Sequence, residues 1–363
     1  CSSDLMSKAA AEGISAAMDR LEAESELRCA ILTGGGGTVV LTAAQNYTGA
    51  TIVSGGTLKA GNAGALGDAT THTTGLTVNG SGIFDFAGFA PTYSTLPIIL
   101  NSTASGFDVG SFTNSGAAVT FGGTVELQRQ TRIGGAQGII LTGAITGGGF
   151  SLIKDSTSTL TLSNSGTVTL GALQSNRGTI QVDSGTTLNV TSIDIGIGNS
   201  VGAGLALNGG SVTSTGLSRF GQGSGSASAT LNLNGGTLTV PALTKGSLTF
   251  NLNFNGGTLK ANGDSVTFLA AATNTKVKAG GAFIDDGGFA ITIAQSLIED
   301  TASTKEEIEH LFGAEIAGND RLLTQQPQHA ARYAMQQIHP QPENLRRDLV
   351  AVVEAAEDER IVR

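Results

Sequence analysis

The stretch whose reading decides the fold is Leu41-Thr42-Ala43-Ala44-Gln45-Asn46-Tyr47-Thr48-Gly49-Ala50-Thr51-Ile52-Val53-Ser54-Gly55-Gly56-Thr57-Leu58. It reads as strand, turn, strand, turn, strand. Short β-rich runs are punctuated by Asn and Gly, the residues that accept a positive φ at little steric cost.

Working outward, variants of Gly-Gly-Thr-Leu recur at Gly36-Gly37-Thr38-Val39, Gly122-Gly123-Thr124-Val125, Gly178-Thr179-Ile180, Gly209-Gly210-Ser211-Val212, Gly235-Gly236-Thr237-Leu238 and Gly256-Gly257-Thr258-Leu259. A strand-turn unit reused every roughly 20 to 26 residues marks a solenoid, in which no unit buries its own apolar face and each must stack on its neighbours. Alternation supports this. In 230–240 the apolar Leu231, Leu233, Leu238 and Val240 share one parity on each side of the turn, and in 248–261 Leu248, Phe250, Leu252, Phe254 and Leu259 alternate with Thr249, Asn251 and Asn253. Period two with one buried face is what a β-coil wall requires. At about 3.3 Å per residue and about 4.8 Å between coils, residues 31–298 amount to on the order of 12 coils and a rod of roughly 55 to 60 Å. Its inner layer is expected to hold Leu58, Leu162, Ile180, Leu233, Leu238, Leu252 and Leu259. Asn208, Asn234 and Asn255 each precede a Gly-Gly pair. A left-handed turn position is the favoured reading, with a stacked Asn ladder as the other.

Charge is scarce, at 13% of residues, and unevenly spread. Residues 31–298 carry 10 Lys+Arg against 10 Asp+Glu, so the net charge of −9 comes from the two ends. A neutral middle rich in Thr, Ser, Asn, Gly, Leu and Val is not the composition of a disordered chain. It also lacks the clustered Lys and Arg of a nucleic-acid binder, so no nucleic-acid partner is expected. No apolar run of about 18 residues exists, so no membrane-spanning helix is expected. The two cysteines, Cys1 and Cys29, are too few for a disulfide framework.

Three segments carry a resemblance. Residues 38–62 resemble the autotransporter-associated β-strand repeat of bacterial passenger domains. The run from Gly147-Gly148-Gly149-Phe150-Ser151-Leu152-Ile153-Lys154 through Leu160-Thr161-Leu162-Ser163 is similar to the first half of another copy, which departs from the pattern after Asn164 by losing its Tyr-Thr-Gly element. Val277-Lys278-Ala279-Gly280-Gly281-Ala282-Phe283-Ile284-Asp285-Asp286-Gly287-Gly288-Phe289 is similar to the segment that precedes such repeats in large surface proteins. The resemblance implies an all-β, right-handed parallel β-helix (a β-solenoid of the pectin-lyase-like kind). It further implies display at a bacterial surface, outer membrane-associated, or release to the extracellular space. A translocating outer-membrane barrel would be a partner not contained in this chain. The module is shared by passengers of many activities, so it implies no particular ligand; the receptor would be a host or environmental glycan or protein.

Both ends change character. In 1–30 an Ala, Glu, Met and Leu pattern with Ile14, Met18, Leu21 and Leu27 at helical spacing predicts a helical segment. Cys1 to Leu5 reads as a sequencing-adaptor scar translated in one frame; the competing reading makes Cys1 the lipid-bearing first residue of a mature lipoprotein. From 299 to 363 a second helical segment is predicted, with helices over 306–312, 328–338 and 342–363, the last amphipathic through Leu345, Leu349, Val352 and Val353. It is read either as a capping or docking domain or as unrelated sequence joined to the repeats.

For chemistry, a polysaccharide lyase or hydrolase on this fold needs several carboxylates, or carboxylates with Arg or Lys, converging on one wall. Asp68, Asp85, Asp108, Glu126, Asp155, Asp183, Asp194 and Asp264 read as solitary, and the adjacent Asp285 and Asp286 read as turn residues against Gly287-Gly288. Arg129 and Arg132 near Glu126 read as a solvated face. His72 is the only histidine of the repeat zone, and His310, His329 and His339 fit no zinc spacing, so no metal or cofactor is expected. Gly34 to Gly37 and Gly147 to Gly149 lack the Lys-Ser or Lys-Thr of a phosphate loop. The abundant serines have no histidine base nearby. No catalytic residue is assigned. The expected function is a non-enzymatic passenger segment, a β-helical stalk or adhesin-like scaffold; the alternative is a carbohydrate-active or glycan-binding β-helix.

Overall fold

A computed structural model describes residues 30–32, 37–106, 108–197, 202–224, 227–269 and 272–299. The chain divides into two compact units, Cys1–Asp300 and Thr301–Arg363. The helices expected near both ends, the second unit and Gly34 to Gly36 lie outside the described residues. The first strand, Ala30–Leu32, begins one residue before the expected boundary, and the last, Ile298–Glu299, ends one residue after it.

Among the described residues every regular element is a β-strand, and together they build a parallel β-solenoid of about 12 turns. Each coil opens on a first wall, where Ala30–Leu32, Thr51–Val53, Leu76–Gly80, Ile98–Ser102, Val125–Leu127 and Ile145–Thr146 stack in register. A second wall stacks Thr38–Leu41, Thr57–Ala60, Ile83–Asp85, Phe112–Thr113 and Thr131–Ile133. A third begins with Val119–Phe121 under Ile139–Leu141. Register gives the coil length: Val125 lies under Ile145, a coil of 20 residues, and Ile98 under Val125, a coil of 27. The longest coil is lengthened by the stretch between Ser102 and Phe112.

Where glycine pairs are missing, strands run on around the corners. Leu152–Leu162, Gly166–Asp183 and Thr186–Ile195 are such continuous strands. The first turns by register shifts between Lys154 and Asp155 and between Asp155 and Thr159, since a bulge bends a strand and re-aims its side chains.

The interior follows from alternation. All seven residues expected in the inner layer are buried, Leu58 at 4% exposure and the other six at 0%. Columns form because register repeats parity: Leu207 lies under Leu233 and Leu233 under Phe254. Each such side chain contributes about 1.5–3 kcal/mol by leaving water. Aromatic packing thickens two regions. Phe86 contacts Phe84, Phe112 and Phe121 at ring centroid distances of 5.1, 4.5 and 5.7 Å, and Phe220 stacks on Phe250 at 4.5 Å.

The recurrent Gly-Gly has a steric cause. Gly236 has φ of 70°, and a Cβ there would sit 2.0 Å from the carbonyl oxygen of Gly210 one coil below. The Tyr-Thr-Gly element is likewise accounted for: Tyr47 Oη and Thr51 Oγ1 lie 2.7 Å apart, Thr51 Oγ1 donates to Thr73 Oγ1 at 3.0 Å, and Thr73 Oγ1 reaches the Gly49 carbonyl. This chain pins a corner to the next coil.

The favoured turn reading of the asparagines is overturned. Positive φ falls on Gly209, Gly235, Gly236 and Gly256, not on Asn208, Asn234 or Asn255. Asn234 Nδ2 donates instead to Asn208 Oδ1 at 3.0 Å, and Asn255 Oδ1 accepts from the Gly280 amide at 3.0 Å. Outward ladders continue at Asn253 to Asn232 and Asn274 to Asn251, both 2.8 Å. Glycine takes the strained backbone, which frees the asparagine amide to bridge coils.

Candidate functional site

The charged side chains that read as solitary in sequence are brought together by stacking. Lys59 and Asp85 oppose each other in register; Lys59 Nζ lies 3.7 Å from Asp85 Oδ2 and donates to Ser115 Oγ at 3.1 Å, while Ser115 Oγ donates to Asp85 Oδ2 at 2.6 Å. Asp194 opposes Arg219, and Lys260 opposes Asp285, each pair bonded at 2.5 Å. Arg132, expected on a solvated face, instead pairs with the buried carboxylate of Asp155, whose Oδ2 also accepts from Asn176 Nδ2 at 2.9 Å. Arg129 and Glu126 are exposed, and Glu126 accepts from Gln128.

The turn residues behave as their chemistry requires. Asp285 and Asp286 accept separately from the Gly287 and Gly288 amides at 2.8 and 2.7 Å, so their carboxylates cap turns. The Lys260 hydrogen bond holds Asp285 below the usual carboxylate range. Asp68 caps Thr70 and Thr71, Asp183 accepts from Gln181, and Asp264 accepts from the Ala290 amide. His72 stacks on Tyr93 at 3.5 Å, with Nδ1 2.9 Å from the Thr73 carbonyl oxygen. Gly147 to Gly149 form a tight turn closed by the Phe150 amide on Gly147. Among the described residues, no group of three or more His, Cys, Asp or Glu is placed to hold a metal ion. Among them, too, no helix is long and apolar enough to cross a membrane.

The arrangement with the most chemistry lies at the bent corner of Leu152–Leu162. Lys154 shares inward parity with Ile133 below and Ser175 above, and it is 1% exposed. An inward lysine must find acceptors or lose its charge. Its Nζ donates to the Ser156 carbonyl oxygen at 2.6 Å and in a short contact to Ser156 Oγ. Ser156 Oγ and the half-buried Ser158 Oγ lie 3.0 Å apart, and Ser158 Oγ donates to the Gly135 carbonyl oxygen at 3.0 Å. A hydrogen-bond chain thus runs from a buried amine to a hydroxyl nearer the surface. Burial pushes the Lys154 ammonium down to about 8, against the opposing pull of Asp108 and Asp155. Gly178 of the next coil, with φ of 64°, closes the corner; a Cβ there would lie 2.3 Å from the carbonyl oxygens of both Ser156 and Ser158.

A search for a histidine base misses this corner because the fold supplies a lysine. The signal was present as Lys154-Asp155-Ser156-Thr157-Ser158, in which period two gives Lys154, Ser156 and Ser158 the same parity.

Fold and corner together define a parallel β-solenoid protein whose wall carries a lysine–serine–serine chain. Compared with protein-family models, with curated proteins and with solved structures, the sequence matches none.

Proposed function

We propose that the repeat region is a non-enzymatic bacterial passenger segment, a right-handed β-helical stalk or adhesin-like scaffold displayed at or released from the cell surface. The observation that supports this reading is the use made of charge. Lys59 with Asp85, Arg132 with Asp155, Asp194 with Arg219 and Lys260 with Asp285 all tie one coil to another. Pairs of this kind brace a stack, whereas a polysaccharide-cleaving site needs carboxylates converging on one substrate. The autotransporter-type repeat resemblance supports the surface setting.

A glycan-binding surface is the second reading, and one feature favours it. Outward Thr167, Thr187, Ser211, Thr237 and Thr258 fall in one column, and Asn232 and Asn253 in another. Such rows offer hydroxyl and amide groups at coil spacing. The full chain is to be incubated with pectin, alginate and other acidic glycans while bond cleavage and retention on immobilised glycan are followed. The scaffold reading expects no cleavage. Reproducible cleavage abolished by Asp285→Asn or Asp286→Asn would overturn it, and retention without cleavage would favour the second reading.

A further inference from the structure

We propose that Ser158 is an activated nucleophile that takes an acyl group from an uncharged ester or thioester donor, with Lys154 as the base and Ser156 as the relay between them. This goes beyond the scaffold reading, because it gives one corner of the wall a covalent attachment point.

Three side chains in one strand form a continuous chain, Lys154 Nζ to Ser156 Oγ and Ser156 Oγ to Ser158 Oγ at 3.0 Å. Ser156 is fully buried, so it has no route to a donor, whereas Ser158 is half-buried at the end nearer solvent. A hydroxyl is a weak nucleophile until a neighbouring group accepts its proton, and lysine serves in that role when burial makes its amine available. In the charged state the bonds run outward, from ammonium to Ser156, to Ser158, to the Gly135 carbonyl. With the neutral amine the two inner bonds reverse, and Ser158 donates toward Lys154. The groups that bias this amine are Asp108, held by its amide on the Asp155 carbonyl, and Asp155, itself paired with Arg132; Arg177 lies opposite Asp155 on the next coil. Arg132 and Arg177 balance the two carboxylates, so with the amine neutral the corner carries no net charge and suits an uncharged donor.

Ser158 Oγ bonds to the acyl carbon while its proton passes to Ser156 Oγ and the Ser156 proton passes to Lys154 Nζ. The tetrahedral adduct collapses, the bond to the alcohol or thiol breaks, and that leaving group takes the proton back from Lys154 by the same path. An ester on Ser158 and a neutral alcohol or thiol result.

The test treats the full chain with an uncharged fluorophosphonate and with p-nitrophenyl acetate, and follows adducts by intact mass and peptide mapping. One adduct per chain at Ser158 is expected, formed at a rate that rises with pH through about 8 and then levels. Ser158→Ala should abolish it. Lys154→Met and Ser156→Ala should slow it on the order of 100-fold. Ser156→Ala only deletes a hydroxyl, so it keeps the test valid if Lys154→Met does not fold. No adduct on the folded protein, labelling at another residue, or an unchanged rate in folded Ser156→Ala would each overturn the proposal.

Discussion

Arg219 Nε donates to Asp194 Oδ1 at 2.5 Å, although the two residues stand 25 positions apart in the chain. Register makes this contact, because Ile193 to Ile195 lie directly under Ser218 to Phe220. The Asp194 side chain is 6% exposed and Arg219 40%. Replacing Asp194 with Ala should therefore cost about 1–2 kcal/mol, less than a fully buried pair because the arginine retains water. In a double-mutant cycle with Arg219→Met, chemical denaturation should report a coupling of about 1 kcal/mol. Additive single effects would mean that the contact braces nothing.

That pair also marks what was legible in the sequence. Strand, turn and parity come from local chemistry, so the inner residues Leu233, Leu238 and Leu252 could be read in advance. Partners one coil away depend on the length of the intervening coil, which runs from 19 residues between Thr38 and Thr57 to 28 between Phe84 and Phe112. Asp194 and Asp155 therefore read as solitary charges, and Arg132 as part of a solvated face. Lys154 was legible by parity alone, since it shares the parity of the inward Leu152 in the same strand.

Lys154 gives a pH dependence whose sign is opposite to that of a lysine held in a stabilising ion pair. Its folded value is depressed from 10.5 to about 8, so between these values the unfolded chain binds more protons and stability rises with pH. The full rise amounts to about 3 kcal/mol at about 1.4 kcal/mol per pH unit. Urea midpoints measured from pH 7.5 to 10.5 should climb in the native chain and stay flat in Lys154→Met. A parallel climb in both would assign the effect elsewhere.

At the other end of the scale, Asp285 is held below its ordinary value by Lys260 and by the Gly287 amide. A depressed carboxylate stabilises above its unfolded value of about 3.8 and loses that contribution as pH falls through the lower, folded one. The pair is more than a third exposed, so only a few tenths of a kcal/mol are at stake. Protection near 283–287, corrected for the intrinsic exchange rate at each pH, should fall slightly below pH 4 in the native chain, and Lys260→Met should flatten that fall. An equal fall in both would exclude Lys260 as the cause.

Glycine positions separate two costs that sequence alone merges. Gly185 has φ of 87° with nothing within 4 Å of a built Cβ, so Gly185→Ala carries only the left-handed penalty, about 1–2 kcal/mol. Gly236 combines φ of 70° with a Cβ position 2.0 Å from the Gly210 carbonyl oxygen. Gly236→Ala should lose at least about 1 kcal/mol more than Gly185→Ala, since backbone must move. Equal melting temperatures for the two variants would refute the close-approach account of the Gly-Gly pair.

Leu233 tests how far one coil depends on the rest. It is fully buried, lies over Leu207 in one direction and under Phe254 in the other, and stands near the middle of a continuous inner column. Leu233→Asp places a carboxylate where it finds no water, a change that costs about 3 kcal/mol or more even after its pKa rises. In a solenoid each coil touches only its neighbours, so the damage should be paid out locally. Hydrogen exchange should show lost protection first across 203–208, 228–233 and 249–254, while Leu76–Gly80 and Ile98–Ser102 keep theirs. The reason is energetic: unravelling those three rungs removes the buried charge, whereas opening the distant rungs relieves nothing. Simultaneous loss of protection at Leu76–Gly80 and at 228–233 would mean that the stack unfolds as one cooperative body, and that interfaces between coils are strong relative to the stability of each coil.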